Sequence, residues 1–268
     1  MICAVDPMPI RTFTSKDGTA IGCFESGSGP PLVLLHGMAA DRARWAPVVP
    51  ALERHHTVYA CDRRGRGASG AGEPYAIERE FEDVVAVVDG IGGSVDVVAH
   101  SWGAICALEA SRVAAHLGRM VLYEPPISVG GPVYPAGLID RLETLLRNGD
   151  DDGVVATYML EIVRVPAAQV ERMRSLPAWA GRVTGAASIV RELRAHEHYQ
   201  FDSGAFRDVR VPVLLLLGGA SPPFFEAALA QVQTALPHAR LVVLPGQTHV
   251  AIDTAPDLFA REVLAFLT

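Results

Sequence analysis

No stretch of this sequence stays apolar for the ~20 residues that a helix needs to cross a bilayer. Positive charge is in deficit: 23 lysines and arginines face 30 carboxylates, a formal net charge of −7, with no basic cluster. That balance argues against nucleic acid or an anionic membrane surface as a partner. Cysteine is scarce. Cys3, Cys23, Cys61 and Cys106 show neither paired nor metal-like spacing, so free thiols in a reducing compartment are expected. Met1 to Pro9 has no basic segment followed by a long apolar core. A signal peptide is therefore not expected, and the location reads as cytoplasmic. Internal repeats and low-complexity tracts are missing too.

What is present is ordinary globular composition, half hydrophobic and a fifth charged. The 268 residues suit one α/β domain with an insertion or two small domains, and a chain of this size buries roughly three quarters of its surface. Val95-Asp96-Val97-Val98-Ala99-His100-Ser101-Trp102-Gly103-Ala104 is the most informative stretch. Its β-branched run predicts a buried strand that stops at Ser101, and Trp102 to His116 predicts a helix. Ala99, Gly103 and Ala104 are small, as a chain must be where a strand turns into a helix within a residue or two. Such a turn holds the serine in a strained conformation with its hydroxyl presented at the strand's carboxyl end. The helix behind it aims free N–H groups and a partial positive charge at an oxyanion formed there.

In chain order, Ile10 to Thr14 and Ala20 to Glu25 predict a hairpin around Asp17-Gly18. Strands follow at Leu32 to Leu35 and Thr57 to Cys61, with a helix expected over Ala43 to His55. Glu78 to Ile91 reads as a helix with a Phe81, Val84, Val85, Val88 stripe. Met120 to Tyr123 is the next strand, ending at Glu124-Pro125-Pro126. From Ile127 to Phe206 the strand runs vanish. Helices are expected near Gly137 to Arg147, Asp152 to Val165, Ala167 to Leu176 and Pro177 to His196. Asp150-Asp151-Asp152 reads as a solvated helix start. The strand pattern then resumes at Pro212 to Leu217 and Arg240 to Leu244, with helices at Phe224 to Leu236 and Ala255 to Leu267.

Alternating strands and helices predict a parallel sheet whose functional crevice lies beyond the strands' carboxyl ends. The breaks there are His36-Gly37-Met38, Ser101, Glu124, Gly218 to Pro223 and Gly246-Gln247-Thr248-His249. This order of motifs resembles the α/β-hydrolase family over nearly the whole chain. The resemblance implies a mostly parallel eight-stranded sheet flanked by helices, with a helical cap inserted after the sixth strand. Residues 1–126 and 207–268 would form the core domain and 127–206 the cap.

A serine hydroxyl needs a base. His249, in the Leu244-Pro245-Gly246-Gln247-Thr248-His249 run, matches the family's histidine loop; His55, His56, His116, His196, His198 and His238 read as surface or structural. Trp102, directly after the serine, would give one oxyanion N–H. The family places the second directly after His-Gly, here Met38. The Asp62 to Ser69 loop reads as a structural turn with a supporting arginine. The acid departs from the family's usual pattern: Ser221 stands where an aspartate after the seventh strand is expected. Glu124, after the sixth strand, opens onto the same crevice, and Pro125 is expected to keep it extended. Certain haloalkane dehalogenases and the zearalenone-lactone hydrolases place their acid there. Asp253, Asp202 and a purely structural Glu124 are the competing readings.

The implied activity is that of a serine esterase or lactonase, with an acyl-enzyme on Ser101 and no metal or cofactor. A serine at the elbow argues against the alkyl-ester chemistry of dehalogenases and epoxide hydrolases. A fairly apolar pocket for an aromatic or alicyclic ester or lactone is expected. Its candidate residues are Gly37, Tyr158, Trp179, Phe201, Ser221 and Phe225. The expected partner is a small-molecule substrate, with no nucleic acid and no membrane, and a homodimer left open. A cofactor-independent dioxygenase, a carbon–carbon bond hydrolase and a ligand-binding protein that retains the triad are the rival readings.

Overall fold

The computed structural model describes residues 9–131 and 134–268. β1 (Ile10–Thr14) and β2 (Ala20–Gly27) form the hairpin, and β3 (Pro31–Leu35) follows. A 3₁₀ turn (Arg42–Trp45), a single turn α1 (Val49–Leu52), β4 (Thr57–Cys61), α2 (Ile77–Ile91), β5 (Val95–His100), α3 (Trp102–Ala110) and β6 (Leu117–Tyr123) come next. The helix expected over Ala43 to His55 is thus broken. Pro47 and Pro50 lack the N–H groups it would need, although Trp45, Val48 and Leu52 are still buried together.

After β6 come α4 (Leu138–Arg147), α5 (Asp151–Thr157) running into a π-helical turn (Tyr158–Ile162), α6 (Ala167–Arg174), α7 (Pro177–Thr184) and α8 (Ala186–His198). The single helix expected from Pro177 to His196 is two, divided at Gly185. The chain closes with β7 (Val213–Gly218), α9 (Pro223–Ala235), β8 (Arg240–Leu244), α10 (Ala251–Thr254) and α11 (Pro256–Leu267).

The eight strands lie in the order β1-β2-β4-β3-β5-β6-β7-β8. β2 is antiparallel to β1 and β4, and every other pair is parallel. The central strands alternate between two cores, as the two-residue period of a strand requires. Val33, Leu35, Val97, Ala99, Leu122 and Leu215 face α2, α3 and α9. Leu32, Leu34, Val98, Val121 and Leu216 face α1 and α11.

The insertion has its own core of Leu138, Leu142, Val154, Ile189 and Leu193, which reaches Ala39 in the loop after β3. Buried charge ties it to the sheet. Glu192 of α8 accepts from Arg63 and Arg66 in the loop after β4. Arg63 also donates to Glu80 of α2 at 3.1 Å. These bonds seat the insertion over the carboxyl ends of the strands, where the loops after β3 and β4 begin.

Cys23 and Cys61 are not free thiols: they are joined in a disulfide. The antiparallel β2–β4 register makes them direct partners, a proximity that 38 residues of sequence separation conceal. Cysteine usage therefore no longer supports a reducing compartment. Cys106 is free and buried, and Cys3 lies outside the described residues.

Candidate active site

Ser101 sits between β5 and α3 with φ 55° and ψ −122°, outside the regions a serine ordinarily occupies. The neighbours dictate this turn. The Ser101 N–H is held by the Tyr123 carbonyl at 2.8 Å. A Cβ on Gly103 would lie 2.6 Å from the carbonyl oxygens of Leu35 and His36, and a Cβ on Gly37 2.9 Å from the Cβ of Ser101. Only glycine permits either approach. Trp102 is the first residue of α3, so its N–H has no acceptor within the helix. Its indole is buried and donates to Glu80 Oε1 at 3.2 Å. Met38 follows Gly37 directly, on the loop that touches the serine.

Glu124 is fully buried at the end of β6. Its Oε2 lies 2.6 Å from His249 Nδ1, and its Oε1 accepts the Gly218 N–H at 2.7 Å. The backbone differs from the extended form expected ahead of Pro125: φ is 48°, in the left-handed region. The requirement to reach both Gly218 and His249 overrides the local preference, at the cost of strain.

The loop that carries His249 is fixed from several sides. The Tyr123 hydroxyl donates to the Thr248 carbonyl and accepts the Ala251 N–H at 3.2 Å. His100 Nε2 donates to the His249 carbonyl at 3.0 Å. Phe225 stacks on the His249 ring, with centroids 4.4 Å apart and planes at 12°. Burial, together with the nearby His249 and Arg44, holds the His100 pKa well below the ordinary histidine value. His36 is likewise kept neutral by burial and by Arg63 and Arg66. It donates to the Gly37 carbonyl at 2.8 Å and accepts the Arg63 N–H at 3.1 Å.

The structure thus brings Glu124, His249 and Phe225 together and packs Gly37 on Ser101, with His100, next to Ser101 in the chain, bonded to the His249 carbonyl. Ser221 is close by: its N–H donates to the Gly218 carbonyl at 2.9 Å, and its hydroxyl is buried without a partner. Trp179 belongs to the core of the insertion, donating to Asp152 at 2.6 Å. Phe201 lies apart, stacked on Phe206. Of the competing acids, Asp253 is paired with Arg44 and Asp202 caps the turn at Gly204. Neither meets His249.

Two features escaped the sequence reading. One is the support that His100 and Tyr123 give the histidine loop; both residues flank positions already singled out, which was the available signal. The other is a cavity lined in part by Arg44, Arg66 and Arg182. Tyr158 is buried in the core of the insertion. Among the described residues no cluster of three His, Cys, Asp or Glu side chains could hold a metal ion.

A strained serine after the fifth strand, a buried carboxylate–histidine pair and an eight-stranded, mostly parallel sheet define an α/β hydrolase. Residues 32–262 match the alpha/beta hydrolase family, and the chain belongs to it. It is similar to an alpha/beta hydrolase of Sphaerobacter thermophilus at 37% identity, covering 96% of this chain and 100% of that one with a TM-score of 0.84. It is 26% identical over 270 residues to a 2-(acetamidomethylene)succinate hydrolase of Mesorhizobium japonicum, covering 91% of this chain and 90% of the relative. An esterase from Rhodococcus sp. shares the fold, with a TM-score of 0.75 at 22% identity over 97% and 98% of the two chains.

Proposed function

We propose that the protein is a serine hydrolase that cleaves a carboxylic ester or lactone of a small substrate through an acyl-enzyme on Ser101. The observation that supports this most is the 2.6 Å contact between His249 and the buried Glu124, set beside a serine strained into the elbow conformation. In this reading His249 takes the Ser101 proton as Oγ attacks the carbonyl carbon. Glu124 holds the imidazole's Nδ1–H and stabilises the imidazolium that forms. The Met38 and Trp102 N–H groups receive the oxyanion. As the tetrahedral species collapses, His249 passes the proton to the departing alkoxide. Water, deprotonated by His249, then attacks the acyl-enzyme and releases the acid. Residues 127–206 act as a cap that encloses the substrate over the core.

Hydrolysis is also the chemistry for which the Mesorhizobium japonicum relative is named. The test is turnover of a panel of 4-nitrophenyl esters and small lactones by the wild-type protein and by Ser101→Ala. Hydrolysis that disappears in the variant supports the reading. A folded wild-type protein that turns over no member of the panel contradicts it.

A further inference from the structure

A cavity of about 380 Å³ lies between the insertion and the sheet, lined in part by Ala39, Asp41, Arg44, Arg66, Arg182 and Asp253. Its volume is that of a small-ligand site. One wall is Ala39 and Ala40 of the loop after β3, two and three residues beyond Gly37, which is packed on Ser101. Asp253 follows His249 by four residues.

The charges in it are unequally matched. Arg44 is paired with Asp253. Arg66 shares one oxygen of Glu192 with Arg63, and its Nη2 is buried without a partner. Arg66 is itself only 6% exposed. Arg182 donates to the Ala39 carbonyl and meets no carboxylate among the described residues. Burial, with the neighbouring Arg44, lowers its pKa against the opposing pull of Tyr158, Asp253 and Asp41. Asp41 spends one oxygen on the Ala43 N–H at 2.8 Å. Tyr158, which opens the π-helical turn, is buried with Arg66, Arg182 and Glu192 as its charged neighbours.

We infer that this cavity recognises a carboxylate carried by the substrate, with Arg182 as its main holder and Arg66 beside it. The inference rests on the hydrolase reading above and narrows its substrate class. Guanidinium groups bind carboxylates in planar, charge-assisted pairs. An anion here would supply the missing partner to Arg182 and to the orphaned nitrogen of Arg66. The loop that carries Ala39 also carries Gly37, which packs on Ser101, so a substrate that reaches both would hold its carboxylate on the cavity side of that loop. A half-ester of a short dicarboxylic acid has this form.

The experiment compares kcat/KM for 4-nitrophenyl hydrogen glutarate and the neutral 4-nitrophenyl valerate, on the wild-type protein, Arg182→Gln and Arg182→Lys. In parallel, glutarate is titrated calorimetrically into Ser101→Ala and Ser101→Ala/Arg182→Gln. A preference of about tenfold or more for the anionic ester, carried in KM and collapsing in Arg182→Gln, is expected from one lost charge-assisted pair. Arg182→Lys should retain part of it, and glutarate should bind Ser101→Ala about tenfold more tightly than the double variant. Equal use of the two esters, or no glutarate binding to Ser101→Ala, overturns the inference while leaving the hydrolase reading intact. If the wild-type protein cleaves neither ester, the hydrolase reading fails by itself, and glutarate binding alone decides the carboxylate site.

Discussion

Glu124 and His249 are joined by a 2.6 Å hydrogen bond in which only one carboxylate oxygen is used; the other is occupied by the Gly218 N–H at 2.7 Å. The carboxylate is therefore held against β7 as well as against the imidazole. Glu124→Gln keeps the shape but presents an amide to one of two donors, which favours the wrong histidine tautomer. A loss of about 10²–10⁴ in kcat is expected, with an unchanged far-ultraviolet dichroism spectrum. Near-wild-type turnover in this variant would remove Glu124 from the role of acid.

Two glycines at the elbow separate chemistry from folding. Gly37→Ala puts a methyl 2.9 Å from the Ser101 Cβ. It should lower kcat sharply in a protein that still folds. Gly103→Ala meets two backbone oxygens at 2.6 Å, which cannot move aside. It should instead cost about 2–4 kcal/mol of stability, in the range of severe core substitutions. Urea unfolding of both variants, beside steady-state kinetics on Gly37→Ala, checks the contrast.

Breaking the buried network should be costly. Glu192 is fully buried and accepts from both Arg63 and Arg66. Glu192→Gln leaves two buried guanidinium groups undercompensated, which costs about 3–5 kcal/mol when one partner of a buried pair is removed. Denaturant midpoints at matched pH measure it. A shift worth less than about 1 kcal/mol, the scale of a surface pair, would mean that water reaches the site.

Stability should fall on the acid side. His196 is buried, and burial lowers its pKa from 6.5 to about 4. As the pH drops, the unfolded chain takes up this proton first, so the folded state loses ground between roughly 6.5 and 4. The contribution is about 3 kcal/mol at full protonation of the unfolded state. His100 and His36 add in the same direction. Melting temperatures recorded from pH 7.5 to 4.5 should decline more steeply for the wild-type protein than for His196→Gln. Parallel slopes would contradict the burial effect at His196.

The elbow, the strand sequence and the histidine loop were legible because each rests on local pattern. β-branched runs, small residues around Ser101 and breaks at strand ends are all local. The placing of Glu124 beside His249 was legible because β6 neighbours β5 and the residue directly after β6 is charged. Non-local facts were hidden. The Cys23–Cys61 bond depends on β2 pairing with β4. The arginines at the cavity come from the loop after β3, the loop after β4 and α7. The left-handed φ of Glu124 is imposed by partners on two other loops against its own local preference. Pro47, Pro50 and Gly185 break the helices over Ala43 to His55 and Pro177 to His196 although the apolar periodicity continues on either side of them.

The most direct test of Ser101 as an activated nucleophile is intact mass spectrometry after exposure to a fluorophosphonate. One phosphonyl adduct on the wild-type protein, none on Ser101→Ala and slowed labelling of Glu124→Gln are expected. Labelling that persists in Ser101→Ala, or a folded wild-type protein that stays unlabelled, would contradict the assignment of Ser101, His249 and Glu124 as a working triad.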